Sequence, residues 1–271
     1  MRRSTRMRRK ALATAFGVAA ALAPAAHAQS LAPGEQSTSS EVAGMQGPAL
    51  MAEESGVPPR GQRLRAIVQR ALDDSVATWK RLIGPRASEI EAVNVRFVAR
   101  LGPSDCYGLY AGEGPVYCSG NQTVFVGTDA ANRLMATFGP RGEAGISFLI
   151  GHEMGHHVQN IYGRFHLLNR VIARLPGARA DLIRRFELEA DCYAGVWIHA
   201  SPAWANSARF RSDLIEVLAS IGDDSRLGSD PDERAPPLAG HGTSEQRTRW
   251  FMRGAQSGDW RACNVFGAAN P

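Results

Sequence analysis

Apolar side chains recur at three- and four-residue steps along most of the chain, which is the period of a helix with one buried face. The longest such stripe covers residues 61–83 and predicts a scaffold helix that Gly84-Pro85 ends. The stripe consists of Leu64, Ile67, Val68, Ala71, Leu72, Val76, Trp79 and Leu82. The same period predicts further helices near residues 128–138, 142–160, 165–174, 178–199, 203–221 and 243–254.

Three short segments follow the two-residue period of strands instead. They lie at residues 93–98, 116–118 and 123–126, and the last two flank a turn signal at Gly120-Asn121. Two segments are interpreted as loops. The first, at residues 101–115, carries several Gly and Pro, and the second, at residues 225–240, is rich in Pro, Gly and Asp. The predicted fold class is therefore α+β, predominantly helical, with a small sheet.

The N-terminal segment accounts for the basic character of the 271-residue chain, whose net charge is +5. Residues 1–28 hold six basic side chains and no acid, and the remainder has 25 basic and 26 acidic side chains. A folded domain near neutrality gives no electrostatic reason to expect a nucleic acid partner. The chain divides into a signal peptide at 1–28, a flexible linker at 29–59 and one domain at 60–271.

Residues 1–28 have the layout of a secretory signal peptide. A cationic stretch precedes an apolar one at residues 11–24, and Ala26-His27-Ala28 gives the small-x-small pattern for cleavage before Gln29. The alternative is an uncleaved anchor, although the apolar stretch is short for a span. We expect a periplasmic or secreted protein with no stable membrane span after cleavage.

Four cysteines, at positions 106, 118, 192 and 263, lie in the part of the chain that would be exported. An even count in an oxidising compartment favours two disulfides, for which three pairings exist. Cys106 and Cys118 flank a loop and form the natural local pair, which would leave Cys192 with Cys263. Buried free thiols are the alternative.

The sequence GHEMGHH at residues 151–157 lies within the predicted helix at 142–160. At four residues apart, His152 and His156 share one helix face and can bind one metal ion, for which zinc is the usual occupant. Glu153 lies beside them as the general base of an HExxH metallopeptidase. Gly155 indicates that another element packs close to the helix backbone. The alternative is two histidines on a helix face paired with carboxylates.

A catalytic zinc ion needs a third protein ligand. One class of metallopeptidase takes it from HExxHxxGxxH, but Gln159 and Tyr162 occupy those positions here. The other class takes a Glu from a later helix, and Glu187 fits this role. Asp191 shares the face of Glu187 and would accept the second ring N–H of a ligand histidine, whereas Glu189 points away. A solvated helix face is the competing interpretation.

Three further features are candidates for roles at the site. His241 is the candidate donor to the developing oxyanion, with Tyr110, Tyr117 and Tyr193 behind it, and an ordinary loop histidine is as good an interpretation. His157 is expected to pack or to support the site from behind the ligands. The strand at 123–126 is the candidate edge for pairing with an extended substrate.

With these residues in place, the chain resembles the bacterial family described as putative neutral zinc metallopeptidase. The resemblance covers roughly residues 60–267 and rests on GHEMGHHVQ at 151–159, ELEADCYAGVW at 187–197, IGDD at 221–224 and HGTSEQR at 241–247. It implies a zincin-like core with His152, His156 and Glu187 on zinc. It also implies that the segment at 241–247 contributes to the site.

Together these features predict a zinc metallopeptidase, expected to be an endopeptidase, with one Zn2+ per chain and a peptide or protein as substrate. The alternative function is a non-catalytic zinc-binding or protein-interaction module of the cell envelope on the same scaffold. Retention of Glu153 favours the enzyme, because a structural site needs no base and is normally closed by a fourth protein ligand. An envelope structural protein with fortuitous histidines is a third alternative and predicts no bound metal.

Overall fold

A computed structural model of the chain describes residues 59–102, 105–108, 114–226 and 240–271. The helices are α1 (Pro59–Ile83), α2 (Ala87–Ile90), α3 (Thr128–Phe138), α4 (Gly142–Ile161), α5 (Arg164–Arg174), α6 (Arg179–Ala200), α7 (Ala208–Leu218), α8 (Asp223–Arg226) and α9 (Ser244–Ser257). The strands are β1 (Asn94–Val98), β2 (Val116–Cys118) and β3 (Thr123–Gly127). The described part of the chain is thus mostly helical with one small sheet, as the α+β prediction requires.

The sheet has the strand order β1-β3-β2, with β1 parallel and β2 antiparallel to β3. The strand predicted at 123–126 is therefore central and paired along both edges. It cannot add a further strand, so its assignment as the edge for substrate pairing is wrong. The parallel pairing of β3 with β1 could not be predicted from the alternation of apolar and polar residues, because this alternation defines the two faces of a strand and not its neighbours.

Helix α4 forms the centre of the domain. It packs against α1, α3, α6 and α7, and most of its residues are buried. A Cβ on Gly155 would lie 2.9 Å from the carbonyl oxygen of Ala190 on α6, so the close approach predicted from that glycine is present. The two helices that carry the candidate ligands therefore meet backbone to backbone.

Helix α9 packs equally closely on the other side of α6. A Cβ on Gly195 would lie 2.1 Å from the carbonyl oxygen of Phe251, and a Cβ on Gly254 would lie 2.0 Å from that of Cys192. Thr243 begins α9 with a capping box, in which its side chain and that of Gln246 satisfy each other's backbone N–H groups.

Two disulfides stabilise the domain, with the pairing expected from the cysteine positions. Cys106 bonds to Cys118, and Cys192 bonds to Cys263 across 71 residues. No thiol among the four cysteines is free, which removes the alternative of buried free thiols.

The boundaries differ from the predicted ones chiefly near residues 202–227. The helix predicted at 203–221 begins only at Ala208, because the Ser207 side chain accepts the Phe210 N–H and caps it there. Asp223, expected to end that helix, instead begins α8. The predicted signal peptide, nearly all of the predicted linker and residues 227–239 of the predicted loop lie outside the described residues. Within the described residues, no helix has both the length and the apolar character needed to cross a membrane.

Candidate metal centre

One carboxylate oxygen joins the two histidines of the HExxH sequence. Glu187 Oε2 on α6 lies 3.1 Å from His152 Nε2 and 3.2 Å from His156 Nε2 on α4. Two ligand atoms on one tetrahedral zinc ion, each about 2.0–2.1 Å from it, stand about 3.3 Å apart. Each of the two histidines therefore stands from the Glu187 oxygen at the distance expected for two ligands of one zinc ion.

The outer ring nitrogens of both histidines are held by acceptors. His152 Nδ1 lies 2.8 Å from Asp191 Oδ1, as expected for the residue one turn after Glu187. His156 Nδ1 lies 2.7 Å from Gln159 Oε1. The amide orientation of Gln159 is fixed because its nitrogen donates to the Phe186 carbonyl at 2.9 Å and to Glu189 at 2.8 Å. Both Nδ1 atoms therefore carry hydrogen.

This pattern of donors determines what the centre can hold. With hydrogen on Nδ1, Nε2 is the atom of each ring that faces the Glu187 carboxylate, where it can either carry a proton or bind a cation. Although burial opposes a charge on the ring, the Asp191 and Glu187 carboxylates raise the pKa of His152 to about 10. In spite of burial, the facing His156 and His241 rings hold the pKa of Glu187 well below its usual range. Three electron-pair donors thus converge where a divalent cation can replace protons.

Asp191 is supported by a residue that the sequence analysis did not identify. Arg247 on α9 makes two hydrogen bonds to its carboxylate, each 2.9 Å long, from Nε and Nη2. Both side chains are buried, so the guanidinium neutralises a carboxylate that would otherwise be costly to bury. Arg247 lies in the HGTSEQR segment, which identifies one contribution of that segment to the site.

Glu153 is buried beside the three donors without joining them. Its Oε2 accepts a 2.7 Å hydrogen bond from the backbone N–H of Tyr117 on β2, which is an edge strand of the sheet. Burial raises the pKa of the Glu153 carboxyl above its ordinary value, although the charges of His152 and His156 lower it in part. A raised pKa suits a carboxylate that takes up a proton near neutral pH. A backbone donor of this kind leaves no signal in the sequence.

His241 reaches the same centre from the loop before α9. Its Nε2 lies 3.6 Å from Glu187 Oε2, and its side chain is 33% exposed, against 3% for His152 and 9% for His156. Donor atoms of His152, Glu187 and His241 all lie within 4.8 Å of one another. The predicted candidate is thus at the centre, on its more exposed side.

The remaining candidates lie away from the donors. His157 is fully buried between the Tyr117 hydroxyl, at 2.8 Å, and the Ile90 carbonyl oxygen, at 3.2 Å, so it supports packing. Burial lowers the pKa of His157 to about 4 and keeps the ring neutral. Tyr193 packs edge-on against Trp79 in the core, and Tyr110 lies outside the described residues. The Glu189 carboxylate accepts from Arg164 at 2.6 Å and from the Gln159 amide at 2.8 Å, so it is not one of the donors at the centre.

Fold and site together define a class: a helical α+β protein whose two central helices bring two histidines and a glutamate together in the manner of metal-dependent hydrolases. The profile of the family described as "Putative neutral zinc metallopeptidase" matches residues 14–266, and the chain belongs to this family.

Two groups of relatives support the assignment. The chain is 35% identical to "Uncharacterized protein YpfJ" of Escherichia coli over 209 residues, which are 76% of this chain and 71% of that protein. It is 33% identical to "Uncharacterized protein Mb2605" of Mycobacterium bovis over 173 residues, 58% of this chain and 56% of the relative. No solved structure gives a significant match.

The ligand assignment makes a prediction about two glutamates of the same helix. Glu187→Gln is expected to weaken zinc binding by at least about 100-fold, because even an orienting partner of a ligand is worth about 10–100-fold. Glu189→Gln is the matched control and should bind zinc within about 10-fold of the parent protein. Competition with a chromogenic chelator measures both affinities. The reverse order would show that the register on α6 is wrong.

Proposed function

We propose that the protein is an exported zinc-dependent endopeptidase with a zincin-like centre formed by His152, His156 and Glu187. The observation that carries this proposal is that the two carboxylates, Glu187 and Glu153, have different partners. One meets both Nε2 atoms, whereas Glu153 is buried next to them and held by a backbone N–H instead. A purely structural metal centre has no use for a second buried carboxylate with a raised pKa.

When bound, zinc polarises the substrate carbonyl and lowers the pKa of a water from about 15.7 to about 7. Glu153 accepts a proton from the water as its oxygen attacks the peptide carbon. The carbon–nitrogen bond then breaks, and Glu153 passes the proton to the leaving amine. The other product is a carboxylic acid, which gives up the second proton of the water to solvent and becomes a carboxylate. Asp191 and Gln159 keep the ligand rings oriented during this cycle.

His241 is the proposed donor to the oxyanion, because it approaches the centre from the more exposed side, where substrate must enter. A well-placed donor at this position typically contributes about 10²–10³ to the rate. Export to the periplasm or the medium is supported by the two disulfides, since such bonds persist in oxidising compartments.

The second candidate is a non-catalytic zinc-binding module, and the proximity of His241 favours it. If this ring completed a set of four protein ligands, the site would be closed, as structural zinc sites are. The buried Glu153 favours the enzyme over this candidate.

The purified protein is expected to contain one zinc ion per chain and to cleave an unfolded protein. A chelator should stop cleavage and added zinc should restore it, because the donors have no other means to activate water. Metal analysis and mass spectrometry of the products of a peptide library measure the two properties. Stoichiometric zinc without cleavage of any substrate would favour the module, and absence of zinc would contradict both candidates.

A further inference from the structure

Two aspartates of α8 hold the loop that carries His241. Asp223 and Gly242 bond reciprocally: the Asp223 N–H donates to the Gly242 carbonyl at 3.0 Å, and the Gly242 N–H donates to Asp223 Oδ2 at 2.9 Å. Asp224 Oδ1 accepts from the Ser244 N–H at 2.7 Å and from its hydroxyl at 2.9 Å. We call these four residues the aspartate clamp. The two loop residues that it holds, Gly242 and Ser244, both follow His241, and they lie 19 and 20 residues after their aspartate partners in the sequence.

The clamp is closely packed as well as hydrogen-bonded. A Cβ on Gly222 would lie 2.1 Å from the Ser244 nitrogen, so the turn and the loop touch through their backbones. Gly242 has φ +99°, a conformation that other residues rarely adopt, and a Cβ there would lie 3.0 Å from Leu188 Cδ2. The loop thus rests on α6 beside Glu187, and its backbone conformation is fixed.

The clamp gives a role to the two aspartates of the IGDD segment, whose Ile221 carbonyl accepts a 3.2 Å hydrogen bond from Arg247. His241 sits one residue before Gly242, and its ring faces Glu187 Oε2 at 3.6 Å. A residue on a loop is a poor catalytic donor unless the loop is held, because a displacement of about 1 Å can cost about 100-fold in rate. The Asp223 carboxylate holds the N–H of the adjacent residue, so it determines where the imidazole lies.

From this arrangement we infer that Asp223 is a positioning residue: through Gly242 it holds His241 over the exposed side of the metal centre. The inference rests on the proposed peptidase function and adds a residue to it. Asp223 itself touches neither substrate nor metal ligands. Because the charge of Asp223 also acts on Arg247, the test has to separate an effect through His241 from one through the pairing of Arg247 with Asp191.

A double-mutant cycle on the full-length, zinc-loaded protein tests this inference. Asp223→Ala is expected to lower kcat about 10–100-fold with KM and zinc content little changed, because His241 loses its position but the ligands do not. Asp223→Asn should recover most of the rate, because its amide oxygen can still accept the Gly242 N–H. His241→Ala should lower kcat at least as far, and adding Asp223→Ala to it should lower kcat no further. Asp213→Ala is the control and should retain the parent rate, because Asp213 lies on α7, where it is half-buried and pairs with Arg209 at 3.7 Å.

Two results would overturn the inference while leaving the peptidase intact. In the first, the fold-losses in kcat of the two single variants multiply in the double variant, which would mean that Asp223 acts independently of His241. The other is an Asp223→Asn variant as slow as Asp223→Ala. If Asp223→Ala does not fold, the imidazole NMR signals of His241 are compared between the Asp223→Asn variant and the parent protein. Matching signals from an ordered ring support the positioning role of Asp223. A mobile His241 ring in the folded Asp223→Asn variant opposes that role. A parent protein that binds zinc but cleaves nothing would overturn the proposed function and this inference together.

Discussion

Replacing Glu153 with glutamine is expected to lower the rate of peptide cleavage by about 10²–10⁴-fold, the usual contribution of a general base. The zinc content should stay at one ion per chain, because Glu153 is not among the three donors that meet at Glu187 Oε2. Glutamine has the same shape, and its oxygen can still accept the Tyr117 N–H that now holds the carboxylate. What it lacks is the capacity to take a proton from water at neutral pH.

Glu143→Gln provides the control for this variant. Glu143 lies on the same helix α4, but on the surface, where it pairs with Arg63 at 2.6 Å. Such exposed pairs contribute little to stability, so the control should keep full activity. Single-turnover cleavage and metal analysis of the three proteins measure the effect. Full activity in Glu153→Gln would rule out the proposed mechanism.

The second large effect is expected at Gly254, which contributes no side chain to the centre. Gly254→Ala should lower the free energy of unfolding by about 3 kcal/mol or more, at or beyond the upper end of overpacking effects. The added methyl would lie 2.0 Å from the Cys192 carbonyl oxygen and 2.9 Å from the Val196 nitrogen. Backbone atoms cannot rotate away from the added methyl as a flexible side chain could. The two helices are also prevented from separating by the disulfide at Cys192 and by the pairing of Arg247 with Asp191.

Urea unfolding followed by circular dichroism measures this loss. Gly177→Ala is the matched control, because nothing lies within 4 Å of a Cβ built there, and its effect should stay within about 0.5 kcal/mol. An unchanged unfolding midpoint in Gly254→Ala would mean that α6 and α9 are not held at the distance seen in the structure.

Much of the centre could be predicted from the sequence because helical spacing is local information. The four-residue steps from His152 to His156 and from Glu187 to Asp191 place each pair on one face, and the structure brings these faces together. Helix boundaries were predicted closely for the same reason. Where a local cap intervened, at Ser207, the predicted start was too early.

The contributions missed by the sequence analysis are those that depend on distant partners. Gln159 served there only to exclude a third histidine ligand, yet it orients His156 through contacts with Phe186 and Glu189 that lie 27 and 30 residues away. Its position three residues after His156 was a usable signal. Arg247 lies 56 residues after Asp191 and could not be paired with it by spacing. The strand at 123–126 was wrongly placed at an edge because the order of strands in a sheet is non-local.

The pairing of Arg247 with Asp191 also sets the order in which the centre is completed during synthesis. A chain made only as far as the end of α6 already contains His152, His156 and Glu187, but the carboxylate that orients His152 still lacks its guanidinium. The disulfide from Cys192 likewise waits for Cys263. The nascent polypeptide therefore carries an unfinished centre until Arg247 and Cys263 have emerged, and we expect proteolytic competence to arise only after that.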